Sequence, residues 1–197
     1  MTKELYIVAG ANGSGKSTLA EIILKEKQLE FLNADDIARE ISPNAIDKVP
    51  ITAGKEYIKR LNNYFNENKS FAVESTLSGK NIIAIINRAK KQNYKIVLVY
   101  IFLNSCTVCI ERVNKRVRNG GHSVKEEDIV RRYYRSIANF EDVYKNMVDE
   151  WMLFYNGLEY DPILVAYKDS ENCDIIKEEL QDKFNSILNM SRKINEQ

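Results

Sequence analysis

The stretch Gly10–Thr18, GANGSGKST, decides the fold of this chain, because it joins a strand pattern to a helix pattern through a glycine-rich loop. The apolar run LYIVA precedes it, and LAEIILKEK follows it. The loop fits G-x-x-x-x-G-K-[ST] without a mismatch, and a strand before it and a helix after it are the setting that confirms this pattern. The stretch therefore predicts the first strand and first helix of an α/β fold, with a phosphate-binding loop between them.

The residue types of this loop suit a nucleotide triphosphate better than the alternative, a glycine-rich turn that binds nothing. Its glycines allow successive backbone N–H groups to point into one concavity, beside the positive end of the following helix. Lys16 can reach the outer phosphates, and the Ser17 hydroxyl can bind the Mg²⁺ that bridges them. We predict that ATP and Mg²⁺ bind here through the whole loop: Gly10, Ala11, Asn12, Gly13, Ser14, Gly15, Lys16, Ser17 and Thr18.

The composition of the 197 residues suits one domain, predicted over 1–190, with a frayed tail at 191–197. A net charge of +1 provides no global field for nucleic acid or an anionic membrane, and we expect neither as a partner. The three cysteines make a poor disulfide set; Cys106 and Cys109 fall on the apolar face of a predicted helix, which favours packing. Without a signal peptide or a membrane-length apolar run, the chain is expected to be cytoplasmic.

Strand patterns alternate with helix patterns along the chain, which predicts a doubly wound parallel sheet of about five strands. The predicted strands are ELYIVAG, LEFLNA, SFAVEST, YKIVLVYIFL and PILVAYK. The segment from Ser123 through Trp151 is predicted as one long helix that begins with a capping box from Ser123 to Glu126, and ENCDIIKEELQDKFNSIL as the closing helix. In such sheets chemistry gathers at the carboxyl ends of the strands.

Acidic residues stand at two of these strand ends. Asp35 or Asp36, in NADDIARE, could simply cap the next helix, because Asp is a favoured N-cap residue. Alternatively, one of the two carboxylates faces the phosphates and orients or deprotonates an acceptor hydroxyl, or helps to hold Mg²⁺. Glu74 ends the apolar strand FAVEST as the acidic residue of a Walker B strand does. It could bind magnesium through water or grip substrate hydroxyls; the alternative is a solvent-exposed strand end.

Basic side chains edge two predicted helices around Gly120 and Gly121. Arg112 and Arg116 are one turn apart and share a helix face, and Arg131 follows on the next helix. Such charges commonly form only a solvated face. The functional interpretation is that residues 112–135 form a helical lid, hinged at the glycines, that closes over the transferring phosphates. Arginine there would stabilise charge on the γ-phosphoryl group.

Two further features have less specific patterns. LSGK, after the third strand, is similar to the LSGGQ signature of ABC ATPases, but the second glycine and the glutamine are missing, which indicates a chance match. His122, the only histidine, follows the glycine pair, where a loop contact or a catalytic base would both be compatible with its position.

Taken together, GANGSGKST, NADDIARE, AGKEYI, VESTLSGK and RVRNGGHSV…DIVRRYYRSIANF resemble the zeta-toxin family of P-loop kinases. The short stand-alone members, often labelled predicted ABC-type ATPases, are the most similar, and the resemblance runs from about Tyr6 to Phe140. It implies a P-loop kinase fold and transfer of the γ-phosphoryl group of ATP to a hydroxyl. The better-understood zeta toxins phosphorylate UDP-N-acetylglucosamine on the sugar 3′-hydroxyl, and an antitoxin is a natural partner.

The resemblance also implies roles for individual residues. Lys16 matches the Walker lysine, Asp35 matches the catalytic aspartate better than Asp36 does, and Arg112 matches the arginine of the family's IER segment. Contacts to the substrate are expected from Glu74 and Thr76. The family's second phosphate-binding arginine has no counterpart in GGHSVKEED, which leaves its role to one of three residues: Arg116, Arg118 or Arg131.

The prediction is therefore a phosphotransferase, an ATP-dependent kinase whose acceptor is a small-molecule hydroxyl, with a nucleotide sugar as the implied class. Two alternatives stay open. One is a P-loop ATPase that acts as a regulatory switch through lid movement. The other is a nucleic-acid end kinase, against which near-zero net charge and the lack of an aromatic and basic groove count.

Overall fold

The computed structural model of the chain describes residues 2–43, 45, 48–121, 123–157 and 161–195, so His122 lies outside the described residues. In this described part seven strands are formed: β1 Glu4–Ala9, β2 Glu30–Leu32, β3 Phe71–Ser75, β4 Lys95–Phe102, β5 Glu150–Tyr155, β6 Ile163–Lys168 and β7 Cys173–Ile175. The helices are α1 Lys16–Lys27, α2 Ala34–Ile41, α3 Pro50–Asn66, α4 Asn81–Lys91, α5 Cys106–Arg118, α6 Glu126–Asp142 and α7 Glu178–Asn195, with a 3₁₀ turn at Tyr144–Asn146.

All seven strands belong to one sheet in the order β2-β3-β1-β4-β5-β6-β7. The first five in this order are parallel to their neighbours, and β6 and β7 continue the sheet antiparallel. The predicted doubly wound α/β class is confirmed, but the sheet has seven strands and not about five. The two strands that the sequence patterns did not reveal are β5 and β7.

The segment predicted as one long helix divides into three elements. The helix α6 ends at Asp142, the 3₁₀ turn follows, and β5 begins at Glu150. In β5 burial alternates residue by residue, with Trp151, Leu153 and Tyr155 directed inward, which is the period of a strand. The predicted capping box is also wrong, because Lys125 is the N-cap residue of α6 and no side chain caps this end. The acidic first turn, Glu126 to Asp128, complements the helix dipole instead.

The closing helix is shorter at its start and longer at its end than predicted. Cys173–Ile175 pairs with β6 as the exposed edge strand β7, so α7 begins only at Glu178. At the other end α7 continues to Asn195, and Ser191 is fully buried and donates to the Ile187 carbonyl. The fraying predicted from residue 191 is therefore wrong for 191–195.

Apolar side chains cover both faces of the sheet, as buried parallel strands require. In β4 the residues Ile96, Leu98, Tyr100 and Phe102 join the larger core, which also contains the inward faces of α3 to α7. Their neighbours along the strand pack with Leu19 on the other face. None of the helices within the described ranges is both long and apolar enough to cross a membrane.

Candidate active site

The glycine-rich loop connects β1 to α1, as predicted, and its backbone adopts conformations that favour glycine. Gly13 has φ 78° and Gly15 has φ 96°, both in the left-handed region. Gly15 is the N-cap of α1, and no side chain caps the first N–H groups of this helix. Uncapped amides at the positive end of a helix dipole are what an anionic phosphate binds.

Most of the predicted nucleotide and catalytic residues line one cavity of 260 Å³, which we name the phosphate cavity. Its lining consists of Asn12, Gly13, Gly15, Lys16, Ser17, Thr18, Asp35, Glu74, Arg112 and Arg116. Three predicted contacts lie beneath the loop surface instead. Gly10, Ala11 and Ser14 are buried, and the latter two present carbonyl oxygens to other residues of the site.

Lys16 and Glu74 lie together at the centre of the phosphate cavity. The ammonium group of Lys16 donates to the Ala11 carbonyl at 2.9 Å and is 3.6 Å from Glu74 Oε1, and Lys16 is only 6% exposed. Glu74 Oε2 accepts from Asn33 Nδ2 at 3.1 Å and from Ser17 Oγ at 3.4 Å. Glu74 is therefore a partnered group of the site, and the alternative of a solvent-exposed strand end is excluded.

The donor atoms around Ser17 suit a magnesium ion. The Ser17 hydroxyl and the carboxylates of Glu74 and Asp35 line the same cavity, and hard oxygen donors are the ligands that Mg²⁺ prefers. Among the described residues, no group of three or more His, Cys, Asp or Glu side chains is arranged to hold a metal by itself. This agrees with the usual P-loop arrangement, in which phosphate and water oxygens complete the magnesium shell.

The two aspartates after β2 are in different environments. The N-cap of α2 is Asn33, whose Oδ1 accepts from the Asp35 N–H at 2.9 Å, so neither aspartate is the cap. Asp35 lines the phosphate cavity, whereas Asp36 pairs with Arg39 at 2.6 Å on the exposed side of the helix. This placement agrees with the choice of Asp35 as the candidate base, which stays a prediction.

Two of the four predicted arginines line the phosphate cavity and two do not. Arg112 Nη2 donates to the Gly157 carbonyl at 2.8 Å, and Arg116 lines the cavity beside it. Arg118 is exposed, and Arg131 pairs with Asp128; neither is part of the cavity wall. Of the three residues considered for the second phosphate contact, only Arg116 is in place for it.

Thr76, predicted to contact the substrate, lies in the turn after β3. Its hydroxyl is 2.8 Å from Ser78 Oγ in the turn after β3, and Thr76 lines neither the phosphate cavity nor the cavity described below. Leu77, in the same turn, has φ 53°, in the left-handed region, and its N–H donates to Ser75 Oγ at 3.1 Å. The substrate-binding role of Thr76 stays a prediction.

Two residues of the site were missed by sequence reasoning. Asn156, directly after β5, donates from Nδ2 to the Ser14 carbonyl at 2.8 Å, and Arg132 of α6 donates to Asn12 Oδ1 at 3.3 Å. The side-chain amide of Asn156 fills the space where a Cβ on Gly15 would lie, 2.2 Å away. The pair Asn156-Gly157 was a readable turn signal, but it becomes informative only once β5 is recognised.

The predicted lid consists of helices that are largely fixed to the core. Cys109 and Val113 of α5 and Ile129, Tyr133 and Ile137 of α6 are buried, and the Tyr133 hydroxyl donates to the Leu103 carbonyl. Burial raises the pKa of the Cys109 thiol to about 12, which agrees with the predicted packing role. Lid closure stays a prediction; in the connection between α5 and α6, Val124 also packs against the core.

A second, larger cavity of 590 Å³ lies between α3 and α4, and we name it the α3–α4 cavity. Glu74 lines both cavities, so the two are adjacent at this residue. The wall also includes Tyr57, whose pKa is raised to about 12 by burial, so that its phenol stays protonated at neutral pH. A site of this volume is large enough for a small organic molecule next to the nucleotide loop.

The order of these motifs also occurs in known proteins. Residues 5–138 match the family described as an AAA domain (AAA_33). The chain belongs to this AAA family. Among its relatives is an uncharacterized protein of Haemophilus influenzae, which is 33% identical over 133 residues, 68% of this chain and 94% of that protein.

The fold of this AAA-family chain is shared with two solved assemblies. The AvrRxo1-ORF1:AvrRxo1-ORF2 complex with sulphate ions has a TM-score of 0.74 at 15% identity, over 94% of this chain and 64% of that chain; the complex was also solved with ATP. The PezAT toxin-antitoxin system of Streptococcus pneumoniae has a TM-score of 0.68 at 15% identity, over 99% and 87%. These matches, at 15% identity, confirm the fold predicted from the sequence.

Proposed function

We propose that the protein is an ATP-dependent kinase that transfers the γ-phosphoryl group to a hydroxyl of a small molecule. The observation that carries the proposal is the position of Glu74, which lines the phosphate cavity and the α3–α4 cavity at once. A phosphate-binding loop beside a second cavity that is large enough for a small organic molecule is the arrangement that phosphoryl transfer between two substrates needs. A simple ATPase has no use for the second cavity.

In this mechanism the residues of the phosphate cavity position ATP and stabilise charge. The loop amides and Lys16 hold the β- and γ-phosphates, so Lys16 exchanges its contact with Glu74 for contacts with phosphate. Arg112 and Arg116, which both line this cavity, would stabilise the charge that spreads over the γ-phosphoryl oxygens. Magnesium held through Ser17 would neutralise part of that charge.

The acceptor hydroxyl would enter from the α3–α4 cavity and meet the phosphoryl group beside Glu74. Its oxygen forms the new bond to the γ-phosphorus, the bond from that phosphorus to the bridging oxygen breaks, and ADP leaves. Asp35 accepts the hydroxyl proton, and Glu74 orients the hydroxyl. ATP therefore supplies the phosphoryl group, the acceptor supplies the oxygen of the new bond, and Asp35 takes up the proton.

The finer parts of the prediction are candidates to test within this proposal. The zeta-toxin resemblance makes UDP-N-acetylglucosamine the first acceptor to try, and an antitoxin the first protein partner, because PezAT is a toxin-antitoxin system. The chain spans 64% of the AvrRxo1 chain, so nothing about that assembly's partners passes directly to it. A cytoplasmic location belongs to the same group of expectations.

Product identity tests the proposal. Purified protein is incubated with γ-labelled ATP and a metabolite extract, and labelled products are separated from inorganic phosphate. We expect label in a phosphorylated small molecule, and we expect Lys16→Ala to abolish this while the circular dichroism spectrum stays native. Label found only in inorganic phosphate would support the switch alternative, and label in nucleic-acid ends would support the end kinase.

A further inference from the structure

The walls of the α3–α4 cavity differ sharply from those of the phosphate cavity. Six large apolar side chains are among the thirteen residues that line it: Tyr57, Ile58, Leu61, Phe65, Ile82 and Ile85. Among its lining residues the only charged side chains are Glu74 and Arg88. The other polar lining side chains are Asn62, Asn81 and the hydroxyl of Tyr57. One acidic and one basic group in a largely apolar wall restrict what molecule can fill the cavity without leaving polar groups unpaired.

Arg88 is positioned to receive an anion. Its guanidinium lies 4.3 Å from the centroid of the Phe65 ring and donates to Asn62 Oδ1, which fixes its orientation. No described carboxylate forms an ion pair with it, although Arg60 on the outer side of α3 pairs with both Glu40 and Glu56. A half-buried guanidinium with neutral neighbours has donors left for a ligand, and carboxylates and phosphates match its geometry.

The fold places Glu74 and Arg88 at opposite ends of the cavity. Glu74 is near the carboxyl end of β3, and the chain returns from there through α4, whose first residue, Asn81, lines the upper end of the cavity. Arg88 is seven residues further along α4, a rise of about 10 Å. The apolar side chains line the space between these two ends.

We propose that the acceptor is an amphipathic hydroxy acid: an apolar body between α3 and α4, a hydroxyl at Glu74, and a single anionic group at Arg88. This inference rests on the proposed kinase function and names the class of its acceptor. A nucleotide sugar fits less well, because a diphosphate and a polyhydroxylated ring would meet one guanidinium and a mostly apolar wall.

The test compares the wild-type protein with Arg88→Gln, Arg88→Lys and Lys90→Gln. Lys90 is exposed on the same helix and outside the cavity, so its variant removes the same charge without touching the wall. In a first assay each protein receives labelled ATP and fractions of a metabolite extract, which are prepared by anion-exchange and reversed-phase chromatography. In a second assay the extract is replaced by defined compounds: hydroxyhexanoate, hydroxyoctanoate, (hydroxymethyl)benzoate, the primary amides of these three acids, and UDP-N-acetylglucosamine. The product from the active fraction is identified by mass spectrometry and purified for kinetics.

We expect the natural acceptor to be retained by both columns and to carry one anionic group. Arg88→Gln should raise the KM for this acceptor about tenfold to a hundredfold, the range for a lost charge-assisted hydrogen bond, with the KM for ATP unchanged. Arg88→Lys should lie between, because it keeps the charge but loses the guanidinium fork. Lys90→Gln should match the wild type in both constants.

Two results would overturn this inference while leaving the kinase proposal intact. One is a phosphorylated product that is a nucleotide sugar or a neutral polyol. The other is an unchanged acceptor KM in a natively folded Arg88→Gln protein. Label recovered solely as inorganic phosphate from the extract and from every compound would refute the kinase proposal, and the hydroxy acid with it.

Discussion

Gly13→Ala provides the sharpest test of how the phosphate-binding loop is built. Gly13 has φ 78°, and a Cβ there would lie 2.6 Å from the Cys109 carbonyl oxygen, a backbone atom of α5 that cannot swing aside. Alanine in the left-handed region costs about 1–2 kcal/mol, and forcing packed backbone apart costs about 1–3 kcal/mol more. The free energy of unfolding should therefore fall by about 2–5 kcal/mol.

Gly120→Ala is the matched control for this substitution. Gly120 has φ 85°, almost the same conformation, but a Cβ there would meet no heavy atom within 4 Å. The free energy of unfolding of Gly120→Ala should fall only by the cost of the left-handed conformation, about 1–2 kcal/mol. Alanine also lowers the entropy of the unfolded chain, but this effect is the same in both variants and cancels in the comparison. Urea denaturation followed by circular dichroism measures both. Losses that agree within about 0.5 kcal/mol would refute the claimed contact between loop and α5.

Three further outcomes are expected from the site. Asp35→Asn should reduce transfer by roughly a hundredfold or more, the range of a lost general base, while Asp36→Asn has little effect; equal losses in steady-state assays would remove the reason for choosing Asp35. Arg112→Ala should lower kcat far more than it raises the KM for ATP, and Arg112→Lys should rescue little; a wild-type kcat in the alanine variant would end the transition-state role. Burial raises the pKa of Cys109 to about 12, so its thiol stays protonated and shielded from solvent at pH 8. A thiol reagent should therefore label the exposed Cys173 in the native protein and Cys109 only after unfolding. Rapid labelling of Cys109 in the native protein would contradict its burial.

The loop and the central strand could be predicted because their signals are local and strong. GANGSGKST needs its residue types at fixed spacing, and β4 is apolar on both faces, so neither pattern had a serious competitor. Glu74 and Asp35 followed from the rule that parallel strands end at one edge of a sheet. These residues line the same cavity as the loop.

The misses have a physical reason in competing periods and in distant contacts. The sequence keeps a spacing of apolar residues compatible with a helix from α6 up to Trp151. Only the burial of alternate side chains in β5 shows that the segment is a strand. Asn33 outcompetes the two aspartates as N-cap because its amide can also donate to Glu74, a residue far away in sequence. Arg88 carries no motif at all, and its position over Phe65 arises from the packing of α3 against α4.

The position of Phe140 has a consequence for how this chain can be cut for expression. The matched family region ends at residue 138. Just beyond it, the Phe140 ring stacks on the Tyr100 ring of β4, with 4.4 Å between the ring centroids, and packs edge-on against Trp151 and Phe184. A chain that stops at the family boundary would keep every recognisable motif but lose β5, leaving β4 as a bare, apolar sheet edge. Such a fragment should aggregate when it is made in cells, whereas a chain that continues through α7 keeps the β4 edge and the Phe140 ring covered.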